Sequence, residues 1–145
     1  METYDVAIIG SGPGGYAAAF RAAKYGLKTA LIEKDAKYGG TCLHVGCIPT
    51  KALLFQAELY ETFKHAQDFG ITCKGFALDW KRMQARKQHI VDKHAKGLAA
   101  LMKRNKVATL AGFGRLKGAG AIEVESGGKK TEVRAKNIIL ATGST

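Results

Sequence analysis

Residues 4–9, YDVAII, are almost continuously apolar, and residues 27–34, LKTALIEK, carry a second apolar run that ends on charge. Runs this short and without alternation suit strands buried in a parallel sheet. Between them stand a glycine cluster, GSGPGG at 10–15, and a stretch of helix-forming residues, YAAAFRAAKYG at 16–26, that Gly26 can terminate. Strand, glycine turn, helix and strand within about 30 residues predict one right-handed βαβ unit.

Further along, the apolar period lengthens. KALLFQAELYETFKHAQ, 51–67, has helical spacing, and 80–103 reads as a second long helix, with FGITCKGFALD, 69–79, as the loop between them. From Val107 the pattern shortens again to VATLAGFGRL, AIEVES and KTEVRA, separated by glycine-rich turns such as Gly127-Gly128. These predict a small antiparallel meander. KNIILATGST, 136–145, then reads as a buried strand and a small-residue turn. The pattern as a whole predicts an α/β fold spanning residues 1–145 as one unit, with a parallel sheet, a βαβ unit and the meander.

Composition adds limits. Hydrophobic residues make up 46% and charged residues 24%, an ordinary globular balance over 145 residues. No apolar run approaches the roughly 18 residues that span a membrane. The start, METYDVAIIG, has no basic or long apolar leader, so the expected setting is cytoplasmic, where paired cysteines point to redox chemistry or metal. The net charge of +11 is local: residues 81–106 hold nine Lys or Arg against Asp92 alone. The same stretch places Met83, Ile90, Leu98, Leu101 and Met102 at helical spacing, so we read the charge as the solvated side of an amphipathic helix and expect neither nucleic acid nor membrane as a partner.

The glycine cluster fits G-x-G-x-x-G with Gly10, Gly12 and Gly15 in register. The first glycine allows a tight turn, the second lets backbone approach a pyrophosphate, and the third lets helix and strand pack closely. Phosphates would then meet the positive end of the helix. Glu33, 18 residues after Gly15, can accept hydrogen bonds from ribose hydroxyls and repels a 2′-phosphate. The pattern alone does not separate FAD from NAD.

GGTCLHVGCIPTK, 39–51, carries Cys42 and Cys47. Zinc sites combine a C-x2-4-C hairpin with a second pair elsewhere, whereas the one other cysteine, Cys73, stands alone in a loop; no metal site is expected. On an ideal helix positions i and i+5 have Cα atoms roughly 8 to 9 Å apart, beyond disulfide reach, so the segment is not regular helix. Gly46 and Pro49 supply the irregularity, with regular helix resuming from about Lys51. Both cysteines then lie near a helix N-terminus, which favours thiolate and suits a reducible disulfide.

This segment closely resembles the active-site stretch of the flavin-dependent pyridine nucleotide–disulfide oxidoreductases. GSGPGGYAAAFRAAKYGLKTALIEK at the start and ATGS at 141–144 extend the resemblance along the whole chain. The CLHVGCIPTKALL form is most similar to the family's dihydrolipoamide dehydrogenases, with glutathione and mercuric reductases, or a non-catalytic flavin-binding module, as alternatives. The resemblance implies a Rossmann-like FAD-binding domain. Gly10, Gly12, Pro13, Gly14 and Gly15 would hold the pyrophosphate, Glu33 with Lys34 the adenosine ribose, and Gly40 and Thr41 the region around the phosphates. Gly114 would meet the adenine, and Ala141, Thr142 and Gly143 would pass close to the cofactor. Lys51 would lie by the flavin, Cys47 next to it, and Cys42 would exchange with the dithiol substrate.

Family members are much longer, and the expected correspondence is with the N-terminal part of the FAD domain, without the NAD and interface domains and inactive alone. The implied partners are NAD, a lipoyl-bearing protein of a 2-oxo acid dehydrogenase or glycine cleavage complex, and a second copy in a homodimer. His44 stands where the family commonly has Asn, and is expected to be a neutral substitution rather than a base. His65, His89 and His94 are expected at the surface.

Overall fold

The structure, a computed structural model, describes residues 2–144, so Met1 and the final Thr145 of the closing turn lie outside the described residues. Strand β1 (Thr3–Ile9), helix α1 (Pro13–Lys24) and strand β2 (Thr29–Glu33) form the expected βαβ unit, with β1 and β2 parallel. Pro13 opens α1, where its missing N–H loses nothing and its fixed φ suits the first turn. Two helices follow, α2 (Gly40–His44) and α3 (Cys47–Lys64). A 3-10 turn at Ala66–Phe69 and an exposed loop then lead to α4 (Trp80–Arg104), whose N-cap Asp79 accepts a hydrogen bond from Arg82 N at 2.9 Å.

The strands form one six-stranded sheet in the order β3-β2-β1-β6-β5-β4, where β3 is Ala108–Ala111, β4 Phe113–Gly118, β5 Ala121–Ser126 and β6 Lys129–Leu140. The predicted strand at 107–116 is thus two strands. β3 pairs parallel with β2, while β4 pairs antiparallel with β5. Gly112 separates them at φ +146°, where an added Cβ would stand 2.6 Å from the Glu125 carbonyl oxygen. Conversely, KTEVRA and KNIIL are one strand. β6 runs antiparallel to β5 at its start and parallel to β1 throughout its second half, so it joins the meander to the parallel sheet.

One face of the sheet packs Val6, Ile8 and Leu31 against Ala19 and Ala22 of α1 and Leu98 and Met102 of α4. On the other face Ala7, Ile9, Ala30 and Ile32 meet Ile122, Val124, Val133 and Ala135, because the sheet curls and brings its antiparallel end over its parallel end. α4 buries Val91 rather than Leu101, which is exposed. The C-terminal end of β6 is not the buried strand predicted: Leu140 is 60% exposed, since among the described residues nothing covers that end. No helix of the described residues is long and apolar enough to cross a membrane.

Candidate dinucleotide and thiol site

Each glycine of the turn has its own physical reason. Gly10 has φ +101°, and a Cβ there would lie 2.2 Å from the Ala141 carbonyl oxygen, where the chain leaves β6. A Cβ on Gly15 would lie 1.8 Å from the Gly10 carbonyl oxygen, so this glycine sets the closeness of α1 to β1. Gly12 differs. Its φ of −63° and ψ of −177° suit any residue, and an added Cβ would meet no protein atom within 4 Å. Neither backbone conformation nor packing explains Gly12; a ligand drawn close to the backbone does. The N-terminal end of α1, with no side-chain cap, begins at the same place and leaves N–H groups for such a ligand. The turn therefore fits the pyrophosphate of a dinucleotide.

Glu33, at the end of β2, is buried. Its Oε2 accepts from Ser11 N at 2.8 Å and from Ser11 Oγ at 2.5 Å, and its Oε1 accepts from Asp35 N at 2.9 Å. Burial alone raises this carboxyl's pKa, but the hydrogen bonds from Ser11, Asp35 and Lys34 together outweigh it and hold the group below the ordinary glutamate value. Glu33 thus stands as a carboxylate beside the turn. Its neighbour Lys34 is exposed. Ser11, fully buried, is a site residue the sequence reading missed; a hydroxyl at a variable position of the motif carries no signal until its partners are known.

The cysteine segment is less irregular than predicted. Helix α3 begins at Cys47, not near Lys51, because Pro49 falls in its first turn, where no backbone donor is needed. The break is confined to Val45 and Gly46, the latter at φ −115° and ψ −107°. Both cysteines are free thiols, Cys42 half-buried in α2 and Cys47 exposed at the start of α3. They lie close together: the interaction with the Cys47 side chain, then burial, pushes the Cys42 thiol up, while the Cys47 backbone N–H and, after it, Lys51 oppose this. For Cys42 the net direction reverses the expected helix-end effect, since Cys42 lies inside the short α2. Lys51 is exposed one turn after Cys47.

Gly40 joins the two halves of the site. A Cβ there would stand 2.9 Å from Gly12 Cα, so the start of α2, with exposed Thr41, leans on the glycine turn. Ala141 and Thr142 pass the same turn, with Ala141 N donating to Ile9 O at 2.8 Å, and Gly143 follows at φ +79° with no close neighbour. Gly114 lies on the inner face of the curl, where a Cβ would meet Ile9 and Ile32 methyl carbons at 3.1 and 3.2 Å. His44 Nε2 donates to the Tyr38 carbonyl oxygen at 2.9 Å, which occupies it structurally. His65, His89 and His94 are exposed, as is Cys73. Among the described residues no group of three or more metal-ligating side chains is assembled.

The family model described as "Pyridine nucleotide-disulphide oxidoreductase" matches residues 4–145. The chain is 49% identical over 150 residues to the dihydrolipoyl dehydrogenase of Bacillus subtilis, covering 97% of this chain and 31% of that protein. It is 44% identical to the dihydrolipoyl dehydrogenase of Acholeplasma laidlawii, covering 99% of this chain and 42% of that protein. The chain therefore spans about a third of the length of such relatives. Among solved structures, the Cu(II) complex of the HOCl-induced flavoprotein disulfide reductase RclA from Escherichia coli superposes with a TM-score of 0.81 at 28% identity, over 99% of this chain and 29% of that one.

Proposed function

The chain belongs to the pyridine nucleotide-disulphide oxidoreductase family, and from that premise we propose that it is the FAD-binding, dithiol-exchanging part of a dihydrolipoamide dehydrogenase. Membership implies a flavin; that the flavin is FAD is supported by a turn fitting a pyrophosphate beside a carboxylate placed for a ribose. When bound, FAD supplies the group that accepts two electrons from the thiol pair. In this reading residues 1–145 correspond to the N-terminal part of the FAD domain. NAD, the second copy of a homodimer and a lipoyl-bearing protein of a 2-oxo acid dehydrogenase or glycine cleavage complex meet other parts of such an enzyme. The setting is cytoplasmic.

The chain's residues divide the work. Gly10, Gly12, Pro13, Gly14 and Gly15 cradle the phosphates at the start of α1, with Gly40, Thr41 and Ala141 to Gly143 alongside and Gly114 toward the adenine. Lys51 adds positive charge on the thiol side. In the oxidised pair, one thiolate of dihydrolipoamide attacks Cys42 Sγ, breaking the Cys42–Cys47 bond and forming a mixed disulfide. Cys47 leaves as thiolate from the first turn of α3, where the helix dipole stabilises it. The second substrate thiolate attacks its own disulfide sulfur, closing lipoamide and freeing Cys42. Two electrons have then passed from substrate to the pair, and Cys42, whose thiol is pushed up beside Cys47, takes up the proton.

The observation that carries this reading is the nearness of Cys42 and Cys47 across the Gly46 break, with Cys42 on the short helix that leans against the glycine turn. The test is to oxidise the purified chain, add limiting dihydrolipoamide, alkylate and weigh it. Two new thiols at Cys42 and Cys47 for each dithiol consumed, unaffected by Cys73→Ser, are expected. Recovery of disulfides through Cys73 in place of the Cys42–Cys47 pair would contradict the reading.

A further inference from the structure

Ser11 is the point where three segments meet. Its N and Oγ both donate to Glu33 Oε2, and its Oγ and carbonyl oxygen both accept from Gly39 N, at 3.2 and 3.1 Å. A carboxylate can only accept and an N–H can only donate, so the hydroxyl has one orientation that serves both partners. Glu33 is fixed on its other oxygen by Asp35 N. Gly39 is fixed as well: at φ +119° a Cβ would lie 2.3 Å from Leu43 Cδ2. Cys42 follows three residues later.

We propose that Ser11 is a positioning residue for the thiol pair: its hydroxyl fastens the helix carrying Cys42 to Glu33 and the glycine turn, and so sets how readily Cys42 and Cys47 join. The inference rests on the redox reading of that pair. Helix α2 has only five residues and cannot hold its place by its own hydrogen bonds. Leu43 seats its far end in the core and His44 bonds the Tyr38 carbonyl, while its N-terminal end is held by the Gly39 N–H on Ser11 and the contact of Gly40 with Gly12. Without the hydroxyl, Gly39 N keeps only the Ser11 carbonyl, and Glu33 loses its one side-chain donor. Cys42 then samples more positions, and its effective concentration at Cys47 falls.

The test equilibrates the chain, carrying Cys73→Ser, with glutathione and its disulfide. In that exchange the two thiols give two electrons and two protons to glutathione disulfide, which becomes two glutathiones. The fraction oxidised is read by alkylation and mass. Ser11→Ala is expected to lower the equilibrium constant for forming the disulfide about three- to tenfold, roughly 15 to 30 mV for a two-electron couple. The isosteric Glu33→Gln is expected to move it less in the same direction, and to add nothing to Ser11→Ala, because both act through one hydroxyl. Urea unfolding of the reduced forms separates the alternatives, since a purely structural Ser11 lowers the midpoint but leaves the thiol equilibrium where it was. A folded Ser11→Ala chain with the parent's constant overturns the inference. If Ser11→Ala does not fold, an unchanged constant in Glu33→Gln overturns it. If the parent itself forms no Cys42–Cys47 disulfide, the redox reading fails first and takes this inference with it.

Discussion

Replacing Gly12 and Gly15 separately by alanine distinguishes a glycine kept for a ligand from one kept for the fold. At Gly12 an added Cβ meets nothing within 4 Å, and the backbone angles suit alanine. Two small effects oppose each other there. Loss of unfolded-chain freedom stabilises by about 0.4 to 1 kcal/mol, while alanine is a poorer N-cap than glycine by on the order of 0.5 to 1 kcal/mol. The net change in the ligand-free chain should stay within about 0.5 kcal/mol of zero. The methyl group nevertheless fills the space above the turn, and FAD affinity should fall by at least tenfold, about 1.4 kcal/mol. At Gly15 the new Cβ would be 1.8 Å from a backbone oxygen, so α1 must shift from β1. Overpacking typically costs about 1 to 3 kcal/mol, and here, with backbone on both sides, we expect about 3 kcal/mol or more. Urea unfolding of the ligand-free proteins gives the first quantity and quenching of FAD fluorescence the second. Gly12→Ala binding FAD like the parent, or unfolding more than about 2 kcal/mol more easily, would refute the assignment of that space to a ligand.

Other substitutions probe the rest of the site. Cys47→Ala removes the partner that raises the Cys42 thiol, so Cys42 should ionise at lower pH and react faster with iodoacetamide at neutral pH; an unchanged rate profile would show that the two thiols do not interact. The Glu33 carboxyl is depressed on folding, so its contribution to stability is present above the ordinary glutamate range near 4.3 and is lost as pH falls through its lower folded value. Glu33→Gln should therefore flatten part of the fall in stability between about pH 5 and 3, and identical acid titrations of variant and parent would count against the Ser11 bonds. His44→Ala should lower stability by about 1 kcal/mol through loss of its bond to Tyr38 while leaving the pH profile of Cys42 alkylation in place; a shifted profile would restore His44 as a base. Met102→Ala should lower stability by about 2 to 4 kcal/mol, since this side chain is buried between α4 and the sheet, and a loss below about 1 kcal/mol would mean that α4 is loosely held.

What was legible in the sequence was what is local. The βαβ unit shows because its strands, turn and helix are contiguous and two of its glycines, Gly10 and Gly15, are required by contacts within or beside the turn. Residues 107–116 were misread because nothing in VATLAGFGRL says that its halves pair with β2 on one side and β5 on the other. The division at Gly112 follows from tertiary pairing rather than from composition. The two apolar pieces before ATGS looked like separate strands for the same reason: β6 changes neighbours along its length without breaking. In the cysteine segment the types and spacing were readable, but the upward push on the Cys42 thiol was not, because it depends on how closely the break at Val45 and Gly46 brings Cys47 to it. Ser11 was invisible because its importance lies in Glu33 and Gly39, 22 and 28 residues away.

Whether a dithiol-exchanging cysteine pair and a bound flavin share one site is read from the visible absorption spectrum of the FAD-loaded chain during titration with dihydrolipoamide. The account expects a bound-flavin spectrum that changes as the Cys42–Cys47 disulfide opens, and no such change in the Cys42→Ser protein. A chain that opens its disulfide with the flavin spectrum unmoved, or that retains no flavin, would contradict it.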